Sequence, residues 1–338
     1  MEKNTAVAGR EEEPSFNAVS EFTATVLSPT TKLYANGRQQ IYLEVLIITT
    51  LDGEPYDLKQ SEKDSIRLVN FTSEAELSAG WKYSENRNEE YEFYTEPGLV
   101  ESTASRASTD ERPGRYVRNM FVTTTDDIGI SRKLALAITR ASDGLVIITN
   151  ANNDSDFHNL DYEVTVQPQR IPSYLTNNYA FEKQLVHGQE GTPVFIYNYY
   201  VGLISNSNES IAFRSMKIED GGMIQWEDKN PQETFASYVG YGEPGDSKAR
   251  YNPNIVLGNH VKEETVRNPI EGKGTIILAG NVDINFHTDS AIKYPGPCKV
   301  TATDANGNDH AFYIAFKEPA PGADDPSAKD RYNLTLYK

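Results

Sequence analysis

The residue types that could do chemistry are scattered along this chain. Five histidines, His158, His187, His260, His287 and His310, stand singly among 338 residues. No pair at i, i+2 or i, i+4 brings two imidazoles to one metal. A triad assembled from distant segments needs no local spacing, but each histidine taken alone reads as a surface or strand residue. Asn152, Asp154, Asp156 and Glu163 imitate the first, third, fifth and twelfth positions of a calcium loop, because a hard cation takes several oxygens from one short segment. Phe157 stands where glycine would permit the sharp turn, so a polar loop between strands is the simpler reading. Asp304, Asn306 and Asn308 resemble such a loop too, and Asn306-Gly307 in a hairpin explains them. With 49 acids in the chain, some pair will always match the ~5–10 Å separation of a glycosidase, and spacing nominates none.

Residues 240–245 (GYGEPG) satisfy the GxGxxG pattern of dinucleotide binding. That pattern needs a helix starting within it to aim N–H groups at a pyrophosphate. Pro244 and the following DSKARYNP forbid a regular helix, leaving a glycine-rich surface loop. No GxxxxGK[ST], GxSxG or HExxH string occurs. No cofactor is expected. The compositional excess with functional meaning is tyrosine, at 20 residues. Tyr197, Tyr199 and Tyr200 lie in VFIYNYY, and Tyr238, Tyr241 and Tyr251 flank the Gly/Pro loop, with Trp226 upstream. Exposed tyrosines offer flat amphipathic surface with little rotamer freedom to lose, which suits sugars or proteins. These seven aromatics are the candidate binding residues; the competing reading places the tyrosines half-buried in sheets as strand formers.

The elements that must position such residues follow from alternation at a period of two, with turn chemistry at the breaks. Phe22, Ala24 and Val26 alternate before Ser28-Pro29; Asn36-Gly37 supplies a turn; residues 40–50 are apolar on both faces, as in a central strand, until Asp52-Gly53-Glu54-Pro55. Leu134, Leu136 and Ile138 lead through Ser142-Asp143-Gly144 to residues 145–149. Residues 211–218 lead through Asp220-Gly221-Gly222 to 223–226. Cys298, Val300 and Ala302 lead through residues 304–308 to Phe312, Ile314 and Phe316. All three read as hairpins. Residues 260–268 are the best short helix candidate, and no long helix is expected. Short strands between Gly, Pro, Asn and Asp predict an all-β chain of two antiparallel β-sandwich, jelly-roll-like domains with mobile acidic termini. The break QPQRIP near residue 170 sets the organisation: an N-terminal arm over 1–20, a first domain over 21–170, and a second over 171–338 that includes a linker and a last strand at 332–337. Residues 84–115 read as a long polar excursion.

Charge and composition narrow the partners. Lys and Arg total 32 against 49 acids, a formal charge of −17, which repels a phosphate backbone and argues against nucleic acid. One cysteine, Cys298, closes no intrachain disulfide and leaves thiolate metal sites without ligands. The longest apolar runs fall far short of the ~20 residues of a transmembrane helix, and the first 20 residues show no export signal. Cytoplasmic synthesis is therefore expected, with a place in a virion or extracellular particle.

Residues 26–58 (VLSPTTKLYANGRQQIYLEVLIITTLDGEPYDL) resemble the first strands of bacterial immunoglobulin-like domains: a strand ending at Ser28-Pro29, the Asn36-Gly37 turn, a long alternating strand, and the Asp52-Gly53-Glu54-Pro55 turn. The resemblance implies an Ig-like sandwich that serves as a spacer or adhesive module on cell surfaces, phage tails or capsids, with no catalytic residues to carry over. The expected function is a non-enzymatic structural or binding protein that contacts protein or glycan in a homo- or hetero-oligomeric assembly, such as a phage or tail-like particle. Two alternatives come from other classes. One is a β-rich pore-forming toxin, for which residues 101–125 are the nearest refolding segment. The other is a glycan-cleaving enzyme using an Asp/Glu pair.

Overall fold

The computed structural model describes residues 14–96, 112–126, 128–150, 157, 160–219, 222–226, 236–255, 257, 262–281, 296–319 and 330–338. The described residues are all-β apart from one six-residue α-helix and a 3-10 turn at Thr176–Asn178, and the chain divides into two compact units, Met1–Ile171 and Pro172–Lys338. None of its described helices is long and apolar enough to cross a membrane.

The first unit runs β1 (Ala18–Val26), β2 (Lys32–Tyr34), β3 (Ile41–Leu51), β4 (Glu54–Pro55), α1 (Gln60–Ser65) and β5 (Arg67–Asn70). It continues with β6 (Trp81–Ser84), β7 (Arg115–Thr124), β8 (Arg132–Thr139), β9 (Val146–Ile148) and β10 (Val164–Gln169). One sheet has the order β1-β3-β7-β6 with β4 on β3; the other has β2-β10-β8-β5 with β9 on β8. Pairing is antiparallel except for β10 with β2. Inward residues of both sheets, among them Phe22, Leu43, Ile47, Met120, Leu136 and Val166, form one apolar core. The apolar run at residues 41–51 is the second strand of its sheet, with neighbours on both sides.

Two differences from the sequence reading stand out here. Phe16 is fully buried in the core and β1 begins at Ala18, inside the stretch assigned to an arm, because an aromatic side chain gains more from burial than the short segment loses in chain freedom. Helix α1 forms where the sequence reading placed no helix, because it carries no Ser, Thr, Asp or Asn cap to announce it. Its start is held instead by Glu62, whose Oε2 accepts from Lys59 N at 3.0 Å and from the Tyr56 hydroxyl at 3.2 Å, while Oε1 accepts from Ala141 N at 3.1 Å. Arg118 Nη1 donates to the carbonyls of Lys63 and Ile66 at 2.8 Å each, satisfying the other helix end.

The second unit contains β11 (Tyr179–Gly188), β12 (Phe195–Ile204), β13 (Ser210–Ile211), β14 (Phe213–Ile218) and β15 (Ile224–Trp226). It is completed by β16 (Ala236–Gly242), β17 (Gly274–Asn281), β18 (Cys298–Asp304), β19 (Asp309–Lys317) and β20 (Asp330–Tyr337). A sheet of order β11-β12-β17-β16-β15, with β13 on β12, shares a core with a second sheet of order β14-β18-β19-β20. The first of these is apolar on both faces. Its far side carries Ile196, Tyr238, Ile277 and Ala279, which pack under Ile255, Leu257 and Val266 from the long connection between β16 and β17.

The expected hairpins divide. β8 with β9 and β18 with β19 pair as neighbours. β14 and β15 do not: β14 pairs β18, whereas β15 pairs β16 in the other sheet. A glycine pair between strands licenses a change of sheet as readily as a turn, and periodicity alone does not distinguish them. The helix expected near 260–268 is absent over its described part, where Thr265 instead bridges Lys248 and Val266 N donates to Ser247 O at 2.7 Å.

Candidate functional site

The nominated tyrosines are mostly interior. Tyr197, Tyr199, Tyr200 and Tyr238 are 2–3% exposed. Alternation along β12 sends Tyr197 and Tyr199 into the core between the sheets, while Tyr200 faces the opposite side and donates to Asn268 O at 2.8 Å. Tyr241 and Tyr251 are half-buried. These side chains are packing elements, contrary to the expectation of an exposed aromatic face, because β12 and β16 lie inside a sheet covered on both sides. Trp226 is the last residue of β15, opposite Ala236. The GxGxxG glycines have a packing role as well: a Cβ on Gly240 would overlap the Tyr251 ring, and one on Gly242 would overlap Val266. Those contacts, rather than a phosphate, explain the pattern.

Burial raises the phenol pKa of Tyr197 and Tyr238 to about 12, and pushes those of Tyr199, Tyr241 and Tyr251 up as well. Tyr251 hydroxyl is buried without a hydrogen-bond partner, and its ring and Lys262 border an open cleft of about 810 Å³ lined also by Ser247, Lys248, Glu263 and Glu264. Burial lowers the Lys262 pKa.

Of the calcium candidates, Asn152, Asp154 and Asp156 lie outside the described residues, and Glu163 pairs with Lys133 at 2.8 Å. Among the described residues no group of three or more His, Cys, Asp or Glu could hold a metal ion. The Asp304 loop is turned inward. Asp304 Oδ1 accepts from the backbone N of Asn306 and Asn308 at 2.9 Å each, and Oδ2 lies 3.2 Å from Asn308 Nδ2 and 3.1 Å from His310 Nε2. His310 Nδ1 is 3.0 Å from the Tyr179 hydroxyl. Because a carboxylate only accepts, Nε2 carries the proton in the neutral ring and Nδ1 accepts from tyrosine. Burial first, then the charge of Asp304, pushes the Tyr179 pKa up to about 12. The three groups have the order of a catalytic relay. They are nevertheless enclosed, with His310 5% and Tyr179 6% exposed, and they tie the β18–β19 turn to β11. The refolding segment considered for a toxin, 101–125, lies outside the described residues up to 111; from Arg115 it is β7, paired on both sides by β3 and β6.

A candidate contact surface is the outer face of the four-stranded sheet. Alternation along β18 and over residues 309–314 of β19 sends Val300, Ala302, Phe312 and Ile314 inward and Thr301, Thr303, Asp309, Ala311 and Tyr313 outward. Ser215, Lys217, Thr301, Thr303, Asp309 and Ala311 line a depression of about 500 Å³ with Glu243 at its edge. Next along β19, Tyr313 lies opposite Tyr337 of β20. Their rings stack at 5.6 Å between centroids and 19° between planes, and the residues are 37% and 39% exposed. The sequence carried this signal: where Phe312, Ile314, Leu334 and Leu336 point inward, Tyr313 and Tyr337 must point out. A search for clustered tyrosines passes over it, because the two are 24 positions apart and meet only through strand pairing.

No family model matches the chain, and no curated protein matches it.

Proposed function

We propose that this chain is a non-enzymatic structural and binding protein, in which two β-sandwich units hold contact faces toward a glycan or protein partner within a larger assembly, such as a phage or tail-like particle. The observation that carries the reading is the outer face of the β14-β18-β19-β20 sheet. Two exposed, mutually stacked tyrosines adjoin a shallow depression with a floor of hydroxyl side chains. Aromatic faces pack against the C–H faces of a sugar ring, and Ser215, Thr301, Thr303 and Asp309 supply donors and acceptors at sheet spacing for its hydroxyls. Among the described residues, the chain of Asp304, His310 and Tyr179 that has the order of a catalytic relay is buried and engaged in tying a turn to a strand. The Ig-like resemblance of residues 26–58 agrees with a spacer or adhesive role for the first unit.

The test is binding of neutral polysaccharides, by affinity electrophoresis and calorimetry, to the full chain and to its Tyr313→Ala/Tyr337→Ala variant. Binding that falls at least tenfold in the variant, with the same melting temperature, supports the reading. A variant that binds every glycan and protein ligand as the parent does removes this face from consideration.

A further inference from the structure

The first and last strands of the second unit meet at a pair of side chains able to react with each other. Lys183 of β11 sends its Nζ to within 2.8 Å of Asn333 Oδ1 on β20, although β11 and β20 are edge strands of different sheets. With a C=O length of about 1.23 Å, that contact leaves Nζ no farther than about 4 Å from the carboxamide carbon. Asn333 Nδ2 in turn donates to Asp330 Oδ2 at 2.8 Å, and Asp330 Oδ1 accepts from Tyr332 N at 2.9 Å. The carboxamide is thus held by an amine on one side and a fixed carboxyl on the other.

Burial shifts the amine toward its neutral, nucleophilic form. Lys183 lies over the Tyr197 ring, 3.9 Å from its centroid, with its side chain 24% exposed. Its pKa is lowered, first by burial and further by the nearby charge of Lys317, while Glu190 and Asp330 act in the opposite sense. Glu190 Oε1 is 3.7 Å away and 76% exposed, so solvent screens its pull toward the charged form.

We propose that Lys183 and Asn333 form an intramolecular isopeptide bond that staples the first strand of this unit to its last, with Asp330 as the proton carrier. The neutral amine forms a bond from Nζ to Cγ of Asn333, and the C=O electron pair moves onto Oδ1. Asp330 takes a proton from the attacking nitrogen and returns it to Nδ2. Re-forming the carbonyl breaks the Cγ–Nδ2 bond and releases ammonia. A primary amine and a primary amide become a secondary amide and ammonia, with no oxidant, reductant or cofactor. Fixed proximity replaces the encounter step that makes aminolysis of an amide slow in solution. This chemistry is independent of what the outer face binds.

The experiment is intact-mass measurement of the purified full chain under denaturing conditions, followed by peptide mapping. The expected result is a mass lower than the sequence by one ammonia, about 17 Da, and a branched peptide joining Lys183 to Asn333. Lys183→Arg and Asp330→Asn should each restore the full mass, and circular dichroism will show that both variants remain β-rich. A parent chain at full mass that yields separate linear peptides overturns the proposal. So does an ammonia loss that persists in Lys183→Arg or maps to Asn36-Gly37 or Asn306-Gly307, where a backbone succinimide would produce the same shift.

Discussion

Asp304→Ala should be among the most damaging single changes to the second unit, and its cost can be worked from the contacts. The carboxylate is fully buried and accepts four hydrogen bonds, from Asn306 N, Asn308 N, Asn308 Nδ2 and His310 Nε2. Asn306 is half-exposed and can turn to water; Asn308 and His310 are 1% and 5% exposed and cannot. Three buried donors are therefore left without an acceptor, at about 1–3 kcal/mol each. Removing a buried charge returns part of its desolvation cost, so the net loss should be about 3–5 kcal/mol, a large share of the ~5–15 kcal/mol that holds a domain together. Asp304→Asn should lose roughly half as much. Its amide can donate to His310 Nε2 if the ring moves its proton to Nδ1, which then donates to the Tyr179 oxygen. Urea unfolding followed by circular dichroism measures both variants. A loss below about 1 kcal/mol for the alanine variant would refute the claim that this carboxylate organises the turn.

Other expectations follow from the same contacts. Glu62→Ala removes the acceptor shared by Lys59 N, Ala141 N and Tyr56 and should destabilise the first unit by about 2–4 kcal/mol, read by denaturant unfolding; Glu62→Gln should recover part of it. Gly240→Ala places a methyl in the Tyr251 ring and 2.8 Å from the Arg250 carbonyl oxygen and should cost about 1–3 kcal/mol, relieved in part, but not wholly, by adding Tyr251→Leu in a double-mutant cycle. In alkali, Tyr179, Tyr197 and Tyr238 keep their protons to about 12 in the folded chain, against 10.0 for a free phenol. The unfolded chain therefore loses protons first. The contribution of these phenols should be constant below pH 10 and stability should fall as pH rises through 10 to 12; a melting temperature that stays flat across that window would contradict it.

Much of the architecture was legible from alternation, because a half-buried strand must send every second side chain the same way. Phe312, Ile314 and Phe316, and Leu334 and Leu336, were enough to orient two strands. What alternation cannot encode is whether the opposite face is open. Tyr197 and Tyr200 point to opposite sides of β12, and in most sheets one of them would be solvated. Here a connection of some thirty residues between β16 and β17 folds back over the second face and buries it. The signal was local at Gly240 and Gly242, whose missing side chains make room for Tyr251 and Val266, but glycine at that spacing also fits a nucleotide loop. Only the absence of a following helix separated the two.

The pairings that matter for chemistry were out of reach of any local pattern for a topological reason. In the second unit the opening strand β11 and the strands β19 and β20 belong to different sheets, so the groups they carry approach across the gap between layers rather than along a hydrogen-bonded ladder. Lys183 and Asn333 are 150 positions apart, and Tyr179 and His310 are 131 apart. Neither separation has a preferred value that a spacing rule could detect. Both contacts tie β11, the strand with a neighbour on one side only, to the opposite sheet. An edge strand is where a two-layer β structure opens first, having one ladder where an inner strand has two. A buried polar relay at one end of β11 and an amine-carboxamide contact four residues further along oppose that opening at successive points. Substitution at either place should therefore raise hydrogen exchange in β11 before it affects β12 or β17, and uniform exchange across the three strands would show that these contacts do not guard the edge.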